Sequence, residues 1–255
     1  GPVSAELERE LSRVLGHEVL LTNSGTSAIL IALRLAGARP GVEVIATSQS
    51  CLLANMAIMQ TGASIVWADV DPETGLIDPG DVARKVGPRT VAVLGCDWGG
   101  RVFDVAAIAE QPPGLSVIED AAHAFFAEAP MRGHLIAWSF QAIKHFSTVD
   151  GGALACPSRA LHERAKLLRW SGLDRTRGDS MRCYQQVAEW GYKAQPNDVL
   201  SAIGLANLEG ARERVELCRA NARALRERLI ALPNIRLPEY DPGSAYWFFP
   251  LLVSD

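Results

Sequence analysis

The rhythm of the first 160 residues constrains the fold more than any other feature of this chain, because short β-like runs alternate there with helical stretches. Val19–Thr22, Val42–Ala46, Ser64–Trp67, Thr90–Leu94 and Leu115–Ile118 read as strands, and residues 4–15, 26–36, 51–61, 80–86 and 104–110 as helices. Strands separated by helices must pair in parallel through crossovers, so this is an α/β chain built on a largely parallel sheet with helices on its faces. Residues 4–15 carry Leu7, Leu11 and Val14 at helical spacing behind Ser4 as a cap, whereas 26–36 is apolar nearly all round, as a buried helix is. The rhythm then breaks. Residues 134–140 and 152–156 read as strands with no room for a crossover helix, which predicts an antiparallel or reordered part of the sheet. Beyond Cys156 the chain turns helical at 158–170, 197–208 and 208–231, the last Arg-rich on one face and apolar on the other, as suits a bridge between domains. A fresh strand is expected from Ala245. The division expected is a large domain over 1–208, then a linker helix and the start of a small, truncated C-terminal α+β domain over 209–255.

Composition narrows the function classes. With 255 residues, 48% of them apolar, the chain can build a full core without disulfide or metal staples. Its 25 basic against 29 acidic residues leave no surplus to neutralise phosphates, which points away from nucleic acid as partner. No apolar run approaches the roughly 20 residues of a membrane span. Five scattered cysteines without CxxC spacing read as reduced thiols of a cytoplasmic protein, and neither they nor the five histidines show metal-ligand spacing. Lysine is scarce, at positions 85, 144, 166 and 193 alone, so chemistry that needs an amine has four candidates.

Four motifs carry the chemistry. Asn23-Ser24-Gly25-Thr26-Ser27 joins a strand to the buried helix; it is either an anion site made of helix N–H groups and hydroxyls, or an ordinary capped turn. Val117–His123 runs an apolar strand into carboxylates and ends in a histidine, so Asp120 is either a ligand-facing acid at a strand end or a helix cap. Ser139–His145 sets Lys144 in an uncharged stretch between two strands, where desolvation favours the neutral amine that a Schiff-base lysine requires; His145 beside it reads equally as structural or catalytic. Gly191–Asp198 precedes an apolar helix that Asn197 or Asp198 would cap. A phosphate cradle, a strand-end carboxylate and a desolvated lysine together are the three anchors of pyridoxal 5′-phosphate (PLP), with Asp120 on the pyridine nitrogen and Lys144 on the aldehyde carbon.

These motifs resemble the DegT/StrS family of sugar aminotransferases, within the fold-type I PLP enzymes. NSGTSA at 23–28, DVDPET at 69–74, EDAAHA at 119–124, SFQAIKHFSTVDGG at 139–152 and GYKAQPNDVLSAIGLANL at 191–208 stand in the family's order. The resemblance implies that Lys144 is the Schiff-base lysine and Asp120 the pyridinium partner, the two catalytic residues. It implies that His123 contacts the ring near its 3-hydroxyl, and that Gly25, Thr26, Ser27 and Ser139 hold the phosphate. Cys51 stands where an aromatic side chain often covers the ring. Lys193 stands where many members carry an Asn that reaches the neighbouring subunit's phosphate site, which makes a homodimer the minimum unit. Arg175, Arg177 and Arg182 are either diphosphate contacts or a solvated basic loop, and Asn197 is a further substrate candidate. The function implied is amino transfer, from L-glutamate, to a keto group of a nucleotide-linked sugar. The rivals are a cyclitol or other keto acceptor, a PLP-dependent sugar dehydratase (whose members typically carry His in place of the lysine) and a non-catalytic PLP-fold module.

Overall fold

The computed structural model describes residues 1–110, 114–130, 132–176 and 184–253. In chain order the first elements are α1 (Pro2–Leu15), β1 (Val19–Thr22), α2 (Gly25–Leu35), β2 (Glu43–Thr47), α3 (Leu52–Thr61), β3 (Ser64–Ala68), α4 (Pro79–Lys85), β4 (Thr90–Cys96), α5 (Val105–Ala109) and β5 (Ser116–Asp120). They are followed by β6 (Leu135–Ser139), β7 (Gly152–Ala155), α6 (Arg159–Arg169), α7 (Asp198–Leu208), α8 (Ala211–Leu229), β8 (Ile235–Arg236) and β9 (Leu252–Val253). Polar caps start several of these helices, but not α1: that helix begins at Pro2, so Ser4, expected as its cap, lies inside it. Ser24, Asp78, Ser158 and Asn197 each accept a backbone N–H of the first turn of α2, α4, α6 and α7, stabilising a helix start by typically about 1 kcal/mol.

Seven strands form one sheet in the order β1-β7-β6-β5-β4-β2-β3. All neighbours pair in parallel except β7, which is antiparallel to both β1 and β6. The crowded 134–156 region therefore does insert a reversed strand, between β1 and β6. Gly152 lies between Thr22 and Ser139 in register, and a Cβ there would sit 2.5 Å from the Gly25 nitrogen. Only glycine lets the turn after β1 close over the reversed strand.

Period-two alternation sends the two sides of each strand to different cores. Leu20, Val44, Leu94, Ile118, Ala137 and Leu154 face α2, α3 and α6, with α2 buried almost all round as its sequence requires. Leu21, Ile136, Trp138 and Ala153 pack on the other side with Leu7 and Leu11 of α1 and Val215 of α8, while Val93 and Val117 pack near α4 and α5. The result is an α/β/α sandwich.

The strand expected from Ala245 does not form there. Residues 245–250 run irregularly, and only Leu252–Val253 pairs, with Ile235–Arg236. Their backbone is engaged elsewhere: Ala245 N–H donates to Gly100 C=O and Trp247 N–H to Gly99 C=O, both at 2.8 Å, and Tyr246 takes a left-handed φ of 46°. Buried Arg219 of α8 holds the preceding turn by donating to the carbonyls of Ser244, Gly243 and Phe126.

Candidate active site

The carboxyl ends of β2, β4, β5 and β6, with the turn after β1, converge on one open-sided cleft of about 800 Å3. This is where parallel sheets place ligands. At one corner Ser24 Oγ accepts the Ser27 N–H at 3.1 Å and lies 3.0 Å from the Ser27 hydroxyl, fixing the first turn of α2. The Thr26 N–H and hydroxyl have no hydrogen-bond partner among the described residues. Ser139, at the end of β6, closes the corner so tightly that a Cβ on Gly25 would lie 2.8 Å from its Cβ. Thr26, Gly25 and Ser139 thus line an anion-sized corner at a helix N-terminus. Ser27 is not among the residues lining the cleft, and its N–H is spent on the Ser24 cap; Ser24 does line the cleft.

Asp120 ends β5 and is 3% exposed, with Oδ1 accepting the Ala122 N–H at 3.1 Å. Burial pushes its pKa up to about 6, against the pull of the Ala122 N–H and the Lys144 charge. No described residue forms an ion pair with it. His123 is buried with Nδ1 unpartnered, and burial, helped by Lys144 and His145, lowers its pKa to about 3, so it is neutral at physiological pH. Lys144 stands half-buried on the turn between β6 and β7, where its own N–H donates to Gln141 C=O at 2.9 Å. Burial lowers its amine below the usual lysine range, partly offset by Asp120. Neighbouring His145 is buried and lined up by its carbonyl, which accepts Arg214 Nε at 2.8 Å; its ring does not line the cleft. Cys51 caps α3 at the exposed mouth, and Cys96 lies buried at the end of β4, its thiol pushed well up by burial.

A buried charge cluster backs this acid. Arg132 Nε donates to Glu119 Oε1 at 2.8 Å, Gly133 N–H to Glu119 Oε2 at 2.7 Å, and Asp97 Oδ2 lies 3.8 Å from Arg132. Burial and the Glu119 charge hold the fully buried Asp97 carboxyl well above the usual range, so Arg132 balances one ionised carboxylate. The Asp97 N–H donates to the Asp120 carbonyl at 3.1 Å, tying the cluster to the strand end.

A sequence model of the DegT/DnrJ/EryC1/StrS aminotransferase family matches residues 1–255. The chain belongs to that family. It is 32% identical over 268 residues to the dTDP-4-dehydro-2,3,6-trideoxy-D-glucose 4-aminotransferase of Saccharopolyspora spinosa, covering 98% of this chain and 70% of the relative. The crystal structure of AtS13 from Actinomadura melliaura matches with a TM-score of 0.93 at 38% identity, over 100% of this chain and 73% of that one. NtdA from Bacillus subtilis, solved with bound pyridoxamine phosphate, matches with a TM-score of 0.90 at 25% identity, over 100% and 59%. This member of the DegT/DnrJ/EryC1/StrS family is accordingly a PLP-dependent aminotransferase with the fold-type I architecture.

The cleft fits that cofactor on its own terms. It offers an unfilled helix N-terminus with a free hydroxyl for phosphate, a buried acid lacking a cation, an orphaned buried imidazole nitrogen and a desolvated amine. Other expected site residues of this aminotransferase lie away from the cleft of their own chain. Lys193 is exposed in an isolated bridge with Trp170, and its carbonyl accepts Asn23 Nδ2. Arg175 lies over the Trp170 ring at 4.4 Å. Asn197 serves as the cap of α7, its Oδ1 accepting the Leu200 N–H at 3.0 Å. Arg177 and Arg182 lie outside the described residues. One site residue the motifs did not reveal is Trp247, whose ring lies 4.1 Å from Lys144 Nζ and stacks on His123 at 4.0 Å.

Proposed function

We propose that this aminotransferase moves an amino group from L-glutamate to the keto group of a nucleotide-linked sugar. The observation that carries the reading is a desolvated lysine and a buried carboxylate with no ion pair among the described residues, sharing one cleft with an open helix N-terminus. The Saccharopolyspora relative, named for a dTDP-linked keto sugar, supports the acceptor class.

When bound, PLP supplies the electron sink that stabilises negative charge at the amino-bearing carbon. Each residue then has a task. The N–H groups of α2, the Thr26 hydroxyl and Ser139 bind the phosphate. The Asp120 carboxylate holds a proton on the ring nitrogen by supplying the charge beside it, and His123, neutral, orients the ring through its oxygen substituent. Cys51, which lines the cleft, would pack against the ring. Lys144 Nζ would anchor the group and carry the proton from the donor's α-carbon; burial, by lowering its pKa, favours the neutral amine that a base requires.

The catalytic unit we propose is a homodimer. Leu52, Leu53, Met56 and Met59 are 71, 51, 40 and 67% exposed along α3, an apolar stripe that starts at the mouth of the cleft. Lys193 then serves the partner's phosphate corner, and Arg175 and Arg177 the substrate diphosphate. The reading places residues 1–208 as the cofactor-binding domain and 209–255 as linker and start of a small domain. Among the described residues no helix is long and apolar enough to cross a membrane, and the scattered thiols support a cytoplasmic location.

Absorbance spectra of the purified protein with PLP, before and after L-glutamate, test the reading. A visible band that glutamate bleaches, and that Lys144→Ala lacks, is expected. A band indifferent to glutamate overturns the donor, and no band in folded protein overturns the roles given to Lys144 and Asp120.

A further inference from the structure

We infer that Trp247 is a positioning residue for the site's amine: its indole face holds the Lys144 ammonium in place and sets how readily that amine gives up its proton. The inference rests on the reading of Lys144 as the reactive amine and adds a residue outside the recognised motifs.

The geometry is specific. Lys144 Nζ lies 4.1 Å from the centroid of the Trp247 ring, inside the range of a cation–π contact. The ring itself is fixed on several sides. Its Nε1–H donates to Ile143 C=O at 3.0 Å, which ties the indole to the turn that carries Lys144. It stacks on His123 with the planes 10° apart. Its backbone N–H is held by Gly99, and Phe248 next to it packs edge-on against Trp98 at 5.1 Å. A side chain held this way does not lose the entropy that usually erodes an exposed contact.

The charge environment gives the contact its function. Asp120 at the end of β5, Cys96 at the end of β4 and Cys51 before α3 face the amine, as do His123 and His145 on the neighbouring turns. Asp120 favours the ammonium, but its charge is committed to the ring nitrogen once the cofactor is in place. Both imidazoles are neutral, and burial pushes the Cys96 thiol well up; burial then drives Lys144 towards the neutral form. The quadrupole of the indole opposes that drive, and it does so without adding a competing base. Without it the amine would neutralise too early; with a second carboxylate in its place it would hold its proton too firmly.

Lysine scarcity makes the test clean, since the chain has only Lys85, Lys144, Lys166 and Lys193. Competitive acetylation of the full chain, with cofactor removed, followed by peptide mass spectrometry across pH, reports each amine's titration separately. Trp247→Leu keeps an apolar side chain but removes the π face, whereas Trp247→Phe keeps a smaller π face and loses the indole N–H. At a pH below the midpoint, Trp247→Leu is expected to raise the Lys144 acetylation rate roughly two- to thirtyfold, with Trp247→Phe closer to the native protein. The other three lysines serve as internal references and stay fixed. Equal behaviour of the Leu and Phe variants, or a rate change shared by all four lysines, overturns the inference. Because no cofactor is present, the outcome is independent of whether glutamate bleaches the loaded protein.

Discussion

The cofactor role proposed for Asp120 comes at a cost in stability, and Asp120→Asn exposes it. The carboxyl is 3% exposed, accepts one backbone N–H and has no ion pair among the described residues. Its pKa in the fold is about 6 against the ordinary 3.8. The folded state therefore binds more protons than the unfolded chain between those values, and stability must fall as pH rises through that window. The full gap, at about 1.36 kcal/mol per pH unit, amounts to about 3 kcal/mol, of which about 2 kcal/mol is lost between pH 4 and pH 7.5. Asparagine cannot ionise and keeps an oxygen for the Ala122 N–H. Urea unfolding of cofactor-free protein should then show Asp120→Asn gaining on the native chain by about 2 kcal/mol between pH 4 and pH 7.5. The same variant should bind PLP more weakly, because the ring nitrogen loses its counter-charge. If the two proteins keep a constant stability difference across that range, the acid is not desolvated as its burial implies, and its pairing with a pyridinium loses its physical basis.

Two further outcomes follow from the same geometry. Gly25→Ala must displace Ser139 or the start of α2, since the new Cβ would lie 2.8 Å from the serine Cβ and 3.1 Å from its Cα; a loss of PLP affinity of roughly tenfold or more is expected in a fluorescence titration, with the far-UV spectrum unchanged. Arg132→Met leaves Glu119 and Asp97 buried without their Arg132 cation and should cost about 3–5 kcal/mol in urea unfolding at pH 7.

The parts of this molecule that were legible in the sequence are those whose causes are local. Period-two and period-3.6 patterns fix the strands and helices, and the missing crossover between residues 140 and 152 announces the reversed β7. Gly25, Thr26, Asp120, His123, Ser139 and Lys144 meet because each follows a strand whose carboxyl end a parallel sheet gathers on one side. The caps in which Asn197 and Ser27 take part are equally local, since a cap needs only the next three residues.

Trp247 was illegible for the opposite reason. Its run, Ala245–Pro250, has the apolar and aromatic content of a strand, and strand propensity measures fit to a half-buried pleated surface and not to any particular partner. What decides its path lies far away in sequence: the carbonyls of Gly99 and Gly100, which accept its N–H groups, and Arg219, which pins the turn before it. Gly100, with φ at 103° and a would-be Cβ 2.8 Å from the Tyr246 nitrogen, must be glycine for the segment to dock. The same contacts that stop the strand from forming carry an indole to the reactive amine, so the failure of local propensity at 245 marks the place where tertiary structure completes the site.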